Sequence, residues 1–312
     1  MGAVKGIFDL ISAFISADLR MATPILIAAL SLIYMERAGT VNIGVEGMML
    51  IGALAGSMGS YSAGSVWLGV ITAALVCGFF GLIFAFMVVT IKANQIVTGI
   101  AFNILALGIT TTVSRIFFGI QTSPISIPSF GNVPIPLLSR IPVLGESLFN
   151  QMTLAYLALL SVPLTHFLLQ KTSIGLKIRA VGEHPAAADA AGVNVFLVRY
   201  WTIIGGSMGV GVGGAYLSLG LVSFFSENMV TGRGFIALAA VIFGKWNPWG
   251  VLVAALLFGF GDALQIRIQA LGSSIPYQFL LMLPYILTIL ALAGIVGKAV
   301  PPNASGKPYI KE

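Results

Sequence analysis

Few side chains in this sequence could act on a ligand, and they lie within or between long apolar stretches. Four of them combine amide, carboxylate and guanidinium chemistry at or near predicted membrane helices: Asn42, Glu46, Asn103 and Arg233. A polar group at membrane depth is costly and is usually paired or faces a cavity. We therefore predict that these four line a path through the membrane, with Arg233 at its outer mouth. The alternative for each is a structural role, which for Glu46 would be capping or pairing.

Residues that catalyse reactions or hold metals are sparse. Cys77 is the one cysteine and cannot form an internal disulfide, and two histidines leave little for a metal site. No Gly-x-x-x-x-Gly-Lys-Ser/Thr pattern is present, so we predict that the chain binds no ATP of its own. No Lys/Arg cluster of the kind that binds nucleic acid occurs. The sequence predicts a non-catalytic protein with no metal, no cofactor and no nucleic-acid partner.

A second group of candidate residues lies in the segment 171–199. Pro185 suits the first position of a helix, the alanines that follow favour helix, and Gly192 would end it. This helix is too short to span a membrane and too apolar for a solvated loop, so it predicts a surface that docks into a partner. Packing on the protein's own face is the alternative. The predicted docking residues are Glu183, His184, Pro185, Ala187, Asp189, Ala191 and Gly192.

The elements that position these residues follow from the composition. Hydrophobic residues make up 58% of the 312 residues and charged residues 8%, and the mean hydropathy is +1.01. A protein surface in contact with water needs more charged residues than this. Lipid must therefore solvate much of the chain. We predict an all-α polytopic membrane protein, one transmembrane domain over 1–312, with about nine spans (8–10): 20–35, 44–61, 66–91, 96–119, 152–170, 197–222, 233–244, 249–268 and 278–297. The stretch 4–17 predicts an interfacial helix feeding the first span, or an extension of that span into one long tilted helix.

The basic residues predict the orientation of the chain. The loop 171–199 holds the densest basic stretch, and cytoplasmic loops collect Lys and Arg, so we place this loop in the cytoplasm. Alternation of spans then places the proline-rich segment 121–151 outside. An odd number of spans also places the N-terminus outside.

An internal repeat links the two halves of the chain. Residues 69–79 and 250–260 are identical at seven of eleven positions, including two glycines and an Ala-Ala-Leu core. The match pairs the third span with the eighth, and an offset of five spans puts the copies in opposite orientations. We therefore predict an inverted repeat of spans 2–4 and 7–9, which is typical of transporters with a pathway between the repeats.

Three segments resemble the signatures of one permease family. They are residues 40–53 (TVNIGVEGMMLIGA), 179–193 (RAVGEHPAAADAAGV) and 232–246 (GRGFIALAAVIFGKW). Together, in this order, they resemble the membrane subunits of ABC importers for branched-chain amino acids, simple sugars and nucleosides, and most closely the nucleoside branch. The resemblance implies a multi-pass permease of the bacterial cytoplasmic membrane, with 179–193 as its coupling segment.

The same resemblance implies the partners and the energy source. An ATP-binding cassette subunit would bind and hydrolyse ATP, and a substrate-binding lipoprotein would deliver a nucleoside. A longer homologous permease would complete a heterodimer, although a homodimer stays open, as does the identity of the nucleoside. A simple sugar is the alternative substrate. An ion-coupled secondary transporter is the alternative class, and it would need paired intramembrane carboxylates, for which Glu46 and Asp262 are the candidates.

Overall fold

The computed structural model describes residues 2–119, 124–136, 139, 144–270, 279, 282, 286 and 299–311. These residues are mostly helical because long apolar runs leave backbone groups that only a helix satisfies in lipid. The helices are α1 (Gly2–Arg37), α2 (Val45–Ala63), α3 (Val66–Ala85), α4 (Gln95–Phe118), α5 (Leu144–Phe149), α6 (Thr153–Lys171), α7 (Ser173–Glu183), α8 (Pro185–Ala190), α9 (Val195–Tyr216), α10 (Arg233–Phe243) and α11 (Pro248–Ala270). Short π-helical turns, Phe86–Thr90 and Leu217–Leu221, extend α3 and α9. Strands β1 (Asn132–Pro134) and β2 (Asn150–Met152) form an antiparallel hairpin.

The expectation of a helical, multi-pass membrane protein is confirmed. Within the described ranges, six helices are long and apolar enough to cross a membrane: Leu10–Arg37, Val66–Thr90, Gln95–Phe118, Thr153–Lys171, Val195–Leu221 and Pro248–Ala270. They correspond to six of the predicted spans. The predicted second and seventh spans are α2, which is rich in glycine and serine, and α10, which has only 11 residues. The predicted ninth span, 278–297, lies almost wholly outside the described residues, so the count of nine remains a prediction.

Helix α1 is one continuous helix from Gly2 to Arg37. The N-terminal stretch 4–17 therefore lengthens the first span, which is the second of the two alternatives that the sequence left open. The lipid-facing character of the molecule is visible on other helices, where large apolar side chains such as Leu75, Ile104 and Leu160 are more than half exposed. Such surfaces are stable only in lipid or against a partner.

Helix α2 is buried at the centre, between α3, α4 and α9. Small residues allow this close packing, since a Cβ at Gly52 would strike the backbone of Gly211, and one at Gly214 would strike the backbone of Met49. Backbones that approach this closely gain dispersion contacts that lipid tails cannot supply. Helix α2, with Glu46 in its first turn and Asn42 just before it, is therefore held rigidly.

Candidate functional site

The connection between α1 and α2 is fixed by the side chain of Asn42. This residue is fully buried, its Oδ1 accepts the backbone N–H of Gly44 at 2.9 Å, and its Nδ2 faces the Met48 sulfur at 3.2 Å. An amide that accepts from the chain two residues ahead forms a tight turn. Asn42 therefore shapes the entry into α2, and the described structure gives it no exposed surface.

Asn103 holds the same connection from α4. Its Oδ1 accepts the N–H of Gly47 at 2.8 Å, and its Nδ2 donates to the carbonyl of Ile43 at 3.0 Å. Gln95, almost fully buried, adds a third bond by accepting the N–H of Val41 at 2.8 Å. The N–H of Gly47 belongs to the first turn of α2 and has no partner within that helix, so Asn103 satisfies a group that would otherwise be costly to bury in the membrane.

Glu46 joins the start of α2 to the start of α10. Its Oε1 accepts the N–H of Gly232 at 2.7 Å, and its Oε2 accepts the N–H of Gly234 at 2.8 Å. A carboxylate at a helix N-terminus satisfies unpaired donors and interacts favourably with the helix dipole. Gly234 is required here, because a Cβ at this position would lie 2.6 Å from the Glu46 Cα. The structure therefore gives Glu46 the capping contacts that were the structural alternative for it.

Arg233 is the first residue of α10 and lines a cavity of about 370 Å³. Its Nε lies 3.8 Å from Asp262 Oδ2 of α11, an ion-pair distance that is too long for a hydrogen bond. Its Nη1 donates to Thr231 Oγ1 at 3.1 Å. The rest of the cavity wall is apolar, aromatic or hydroxylic: Met21, Leu217, Leu221, Val222, Phe224, Ser226, Met229 and Ile266. Of the four predicted path residues, Arg233 is the one that a described cavity exposes to a solute.

The charges at the end of α1 are engaged within the protein rather than solvated. Glu36 is 3% exposed, and its carboxylate accepts the indole N–H of Trp246. The guanidinium of Arg37 donates twice to the carbonyl of Trp246, at 3.0 and 3.2 Å. These contacts tie the end of α1 to the segment that follows α10. Trp246 lies 210 residues from Glu36 along the chain, so nothing in the local sequence predicts this contact.

The predicted docking helix is present as α8, which begins at Pro185 and ends at Ala190, with Gly192 in a left-handed conformation just after it. No side chain caps its N-terminus. Its apolar contact with the protein is made by Ala188, which is 5% exposed. The other small residues face outward and form an exposed surface with two polar neighbours: Ala186, Ala187, Ala190, Ala191 and Gly192, with Glu183 and His184.

A C-terminal strap, residues 299–311, braces α7 and α8. Its Ala304 N–H donates to Gly182 O at 2.9 Å, and its Gly306 N–H donates to Gly39 O at 3.1 Å. Asp189 of α8 accepts the hydroxyl of Tyr309 at 3.0 Å. The strap therefore joins the docking helix to the turn before α2.

Two charged residues, Asp189 and Arg199, find their partners in this strap. Asp189 also pairs with Lys311 at 3.2 Å, so the carboxylate expected at the rim of the docking surface is engaged within the chain. Arg199, counted among the basic residues of the loop 171–199, lies instead in α9 and is 2% exposed, with its Nη1 donating to Lys307 O at 3.0 Å. The sequence carried no signal for either contact.

Comparisons with known proteins give one consistent answer. Residues 14–292 match the family described as branched-chain amino acid transport system / permease component. The chain is 41% identical to the Guanosine ABC transporter permease protein NupQ of Bacillus subtilis, over 98% of each chain. It is 38% identical to the Nucleoside ABC transporter permease protein NupC of Lactococcus lactis, over 93% of this chain and 94% of that one. It is 40% identical to the "Putative glucose ABC transporter permease protein TsgC13" of Haloferax volcanii, over 84% and 79%. No solved structure gave a significant match.

Proposed function

The chain belongs to the family of branched-chain amino acid transport permease components, and we propose that it is the membrane permease subunit of an ABC importer that carries nucleosides. The observation that carries the proposal is full-length similarity: 41% and 38% identity to a guanosine and a nucleoside permease, over more than nine tenths of every chain compared. The chain would move the solute without transforming it. ATP would bind to, and be hydrolysed by, a separate subunit.

The contacts of α2 and α10 support an inverted repeat as the frame of transport. The starts of α2 and α10 lie next to each other at Glu46, whose carboxylate accepts backbone N–H groups from the start of α10. The end of α10 leads to Trp246, which contacts Glu36 at the end of α1, whereas Ser60 near the end of α2 donates to Pro128 O, close to the hairpin. From their common point the two helices therefore run to opposite ends of the molecule. This is the relation expected of spans two and seven in a nine-span inverted repeat.

The four predicted path residues divide between two roles in this proposal. Asn42, Glu46 and Asn103 position the starts of α2 and α10, since their polar atoms bond backbone groups there. Arg233 is the residue that reaches the solute, because its side chain lines a cavity, whereas the other three are engaged with backbone groups. Transport pathways are commonly built where such interrupted helices meet.

Energy coupling would run through α8. Its exposed alanines permit close approach of a partner. The strap bonds α8 to the turn before α2, so a displacement of α8 would be transmitted to the starts of α2 and α10 around Glu46. We place the α7–α8 end in the cytoplasm, where the ATP-binding cassette subunit is found, because this end carries Lys171, Lys177 and Arg179. The membrane would be the bacterial cytoplasmic membrane.

The proposed assembly includes a second permease and a substrate-binding lipoprotein. Large apolar side chains such as Leu75, Ile104 and Leu160 remain exposed on the described helices, so lipid or another protein should cover them. A homologous permease, in a heterodimer, is the proposed neighbour. Co-purification from cells that express all subunits, followed by identification of the chains, tests this point.

Uptake tests the function directly. Cells with and without this gene are given labelled guanosine, and competition by unlabelled nucleosides and by glucose is measured. We expect uptake that depends on the gene, on the ATPase subunit and on an intact catalytic site in that subunit, with nucleosides competing and glucose not. Equal uptake by both strains would overturn the proposal.

A glucose permease is the second candidate, because TsgC13 is 40% identical over 84% of this chain. Competition by glucose but not by nucleosides would select it. Ion coupling is the remaining alternative, and the two carboxylates it requires are both engaged, Glu46 with backbone N–H groups and Asp262 with Arg233. Abolition of uptake by a proton or sodium ionophore at unchanged cellular ATP would favour that alternative.

The coupling surface has its own test. Replacing Ala187 with Glu puts a bulky charge on the exposed face of α8 and should detach the ATPase subunit, or uncouple its hydrolysis, while the permease still inserts. The matched control is Ala63→Glu, the same change at an exposed alanine at the far end of α2. Full uptake and normal co-purification of Ala187→Glu would show that α8 is not the coupling contact.

A further inference from the structure

A polar cavity of about 640 Å³ lies between α1 and the hairpin. Its polar wall is formed by Ser12, Ser16, Arg20, Asn132 and Asn150. The three α1 residues are four apart and share one face of the helix. None of the four predicted path residues lies on this cavity, and its polar groups suit neither lipid tails nor a dry helix interface.

The wall of this cavity is organised in advance by a buried network. Gln151 is fully buried, and its Nε2 donates to Ser16 Oγ at 2.8 Å, while Arg20 Nη2 donates to the same oxygen at 3.2 Å. The backbone N–H of Gln151 donates to the hydroxyl of Tyr156 at 2.9 Å. Because the hairpin and α6 hold Gln151, the positions of Ser16 and Arg20 are set before a ligand arrives, which lowers the entropic cost of binding.

A second cavity adjoins the first at Met21, which lines both. This is the cavity of about 370 Å³ that contains Arg233. Phe224 and Met229 give it an aromatic and polarizable wall, which suits a flat heterocyclic ring. The guanidinium of Arg233 supplies N–H donors, which match the carbonyl and ring-nitrogen acceptors of a purine edge.

We propose that the two cavities form one bipartite nucleoside site, with the ribose in the Ser12–Asn150 cavity and the base in the Phe224–Arg233 cavity. The assignment rests on the proposed function and adds the residues that read the sugar. Ribose hydroxyls both donate and accept, as do serine hydroxyls and asparagine amides, so the two sets of groups are complementary. A simple sugar would use the polar cavity alone and would leave the aromatic one empty.

The test compares guanosine with 2′,3′-dideoxyguanosine, which has the same base and lacks two ribose hydroxyls. Uptake by the complete importer is measured in cells, with the natural lipoprotein, and kcat/KM for the two substrates is expressed as a ratio. Wild type should prefer guanosine. Asn150→Ala and Ser12→Ala should each lower this preference by about tenfold, the effect of one lost hydrogen bond. Phe224→Ala should weaken transport of both substrates and leave the ratio unchanged.

The matched control is Ser161→Ala on α6, whose hydroxyl bonds its own helix at Ala158 O and does not line the cavity. It should keep the wild-type ratio. A wild-type ratio in both cavity variants, with active uptake, would overturn the sugar subsite and leave the proposed function intact. No guanosine uptake by wild type would defeat both. If Asn150→Ala does not insert into the membrane, Ser12→Ala decides the question, because that hydroxyl makes no hydrogen bond with any residue that the structure describes.

Discussion

Replacement of Glu46 by Gln tests whether the meeting of α2 and α10 depends on a carboxylate. Each carboxylate oxygen accepts one backbone N–H of the α10 start, from Gly232 at 2.7 Å and from Gly234 at 2.8 Å. A glutamine amide has the same size but only one oxygen. One of the two N–H groups would then face the NH₂ group of the amide, donor against donor, and the remaining bond would lose its charge.

The expected cost follows from these two changes. A hydrogen bond to a charged group contributes about 1.5–3 kcal/mol, and a buried N–H left without a partner costs about 1–3 kcal/mol. The helix dipole adds roughly 0.3–1 kcal/mol. Because these terms overlap, we expect Glu46→Gln to lower the free energy of unfolding by about 3 kcal/mol. At about 2 °C per kcal/mol for a chain of this size, Tm should fall by about 6 °C.

The assay is thermal unfolding of the purified permease in detergent, read by the loss of monodisperse protein, together with uptake in cells. Glu46→Asp keeps the charge on a shorter arm and should fall between wild type and Glu46→Gln. The control is Glu227→Gln, since Glu227 is an exposed glutamate whose bidentate contact is with Arg115, and its Tm should stay within about 1 °C of wild type. A wild-type Tm and full uptake for Glu46→Gln would refute the capping role.

Three further outcomes are expected. In Gly182→Ala the added Cβ would strike the backbone carbonyl of Arg37, so little folded protein should be recovered by size-exclusion chromatography, whereas Gly205→Ala, which has open space, should behave as wild type. Tyr309→Phe removes one strap hydrogen bond of about 1 kcal/mol to α8, and should slow uptake at unchanged substrate KM. A guanidinium partner on α4 holds the pKa of Glu227 below its usual range. The stability from that pair, which is worth no more than about 1 °C in Tm, should therefore be constant from pH 8 to pH 5 and decline only as the pH falls through the lowered pKa, as the Tm difference between wild type and Glu227→Gln should show.

The sequence predicted those helices that depend on local properties. Long apolar runs define α3, α4, α6 and α11, because the length of an apolar run and the lack of water in lipid decide the outcome together. Pro185 and Gly192 likewise marked the ends of the docking helix, since a fixed φ and a left-handed φ are properties of single residues. Helix α10 was also located, although its 11 residues make it shorter than a usual span.

The contacts that position the site were not predictable from the sequence, because their partners lie far apart along the chain. Glu46 bonds residues 186 and 188 positions away, and the Asp189 partner Tyr309 lies 120 positions away. Periodicity and composition report only on neighbours within one helix. Nothing local distinguishes Arg199, which is buried by the strap, from the exposed Lys177 a few turns earlier.

The difference between local properties and contacts far apart in the chain also explains which polar residues were predicted to line the path. Asn42, Glu46 and Asn103 stood out because they are isolated polar groups in apolar surroundings, and such groups in the structure are engaged with backbone at helix starts. A group whose polar atoms are already engaged within the protein has little capacity left for a passing solute. Solute contacts are therefore expected where polar side chains line open volume, at Arg233 and along the α1 face at Ser12, Ser16 and Arg20. The engaged residues set the distance between those surfaces, so their loss should lower the stability of the pathway before it changes which solute the pathway accepts.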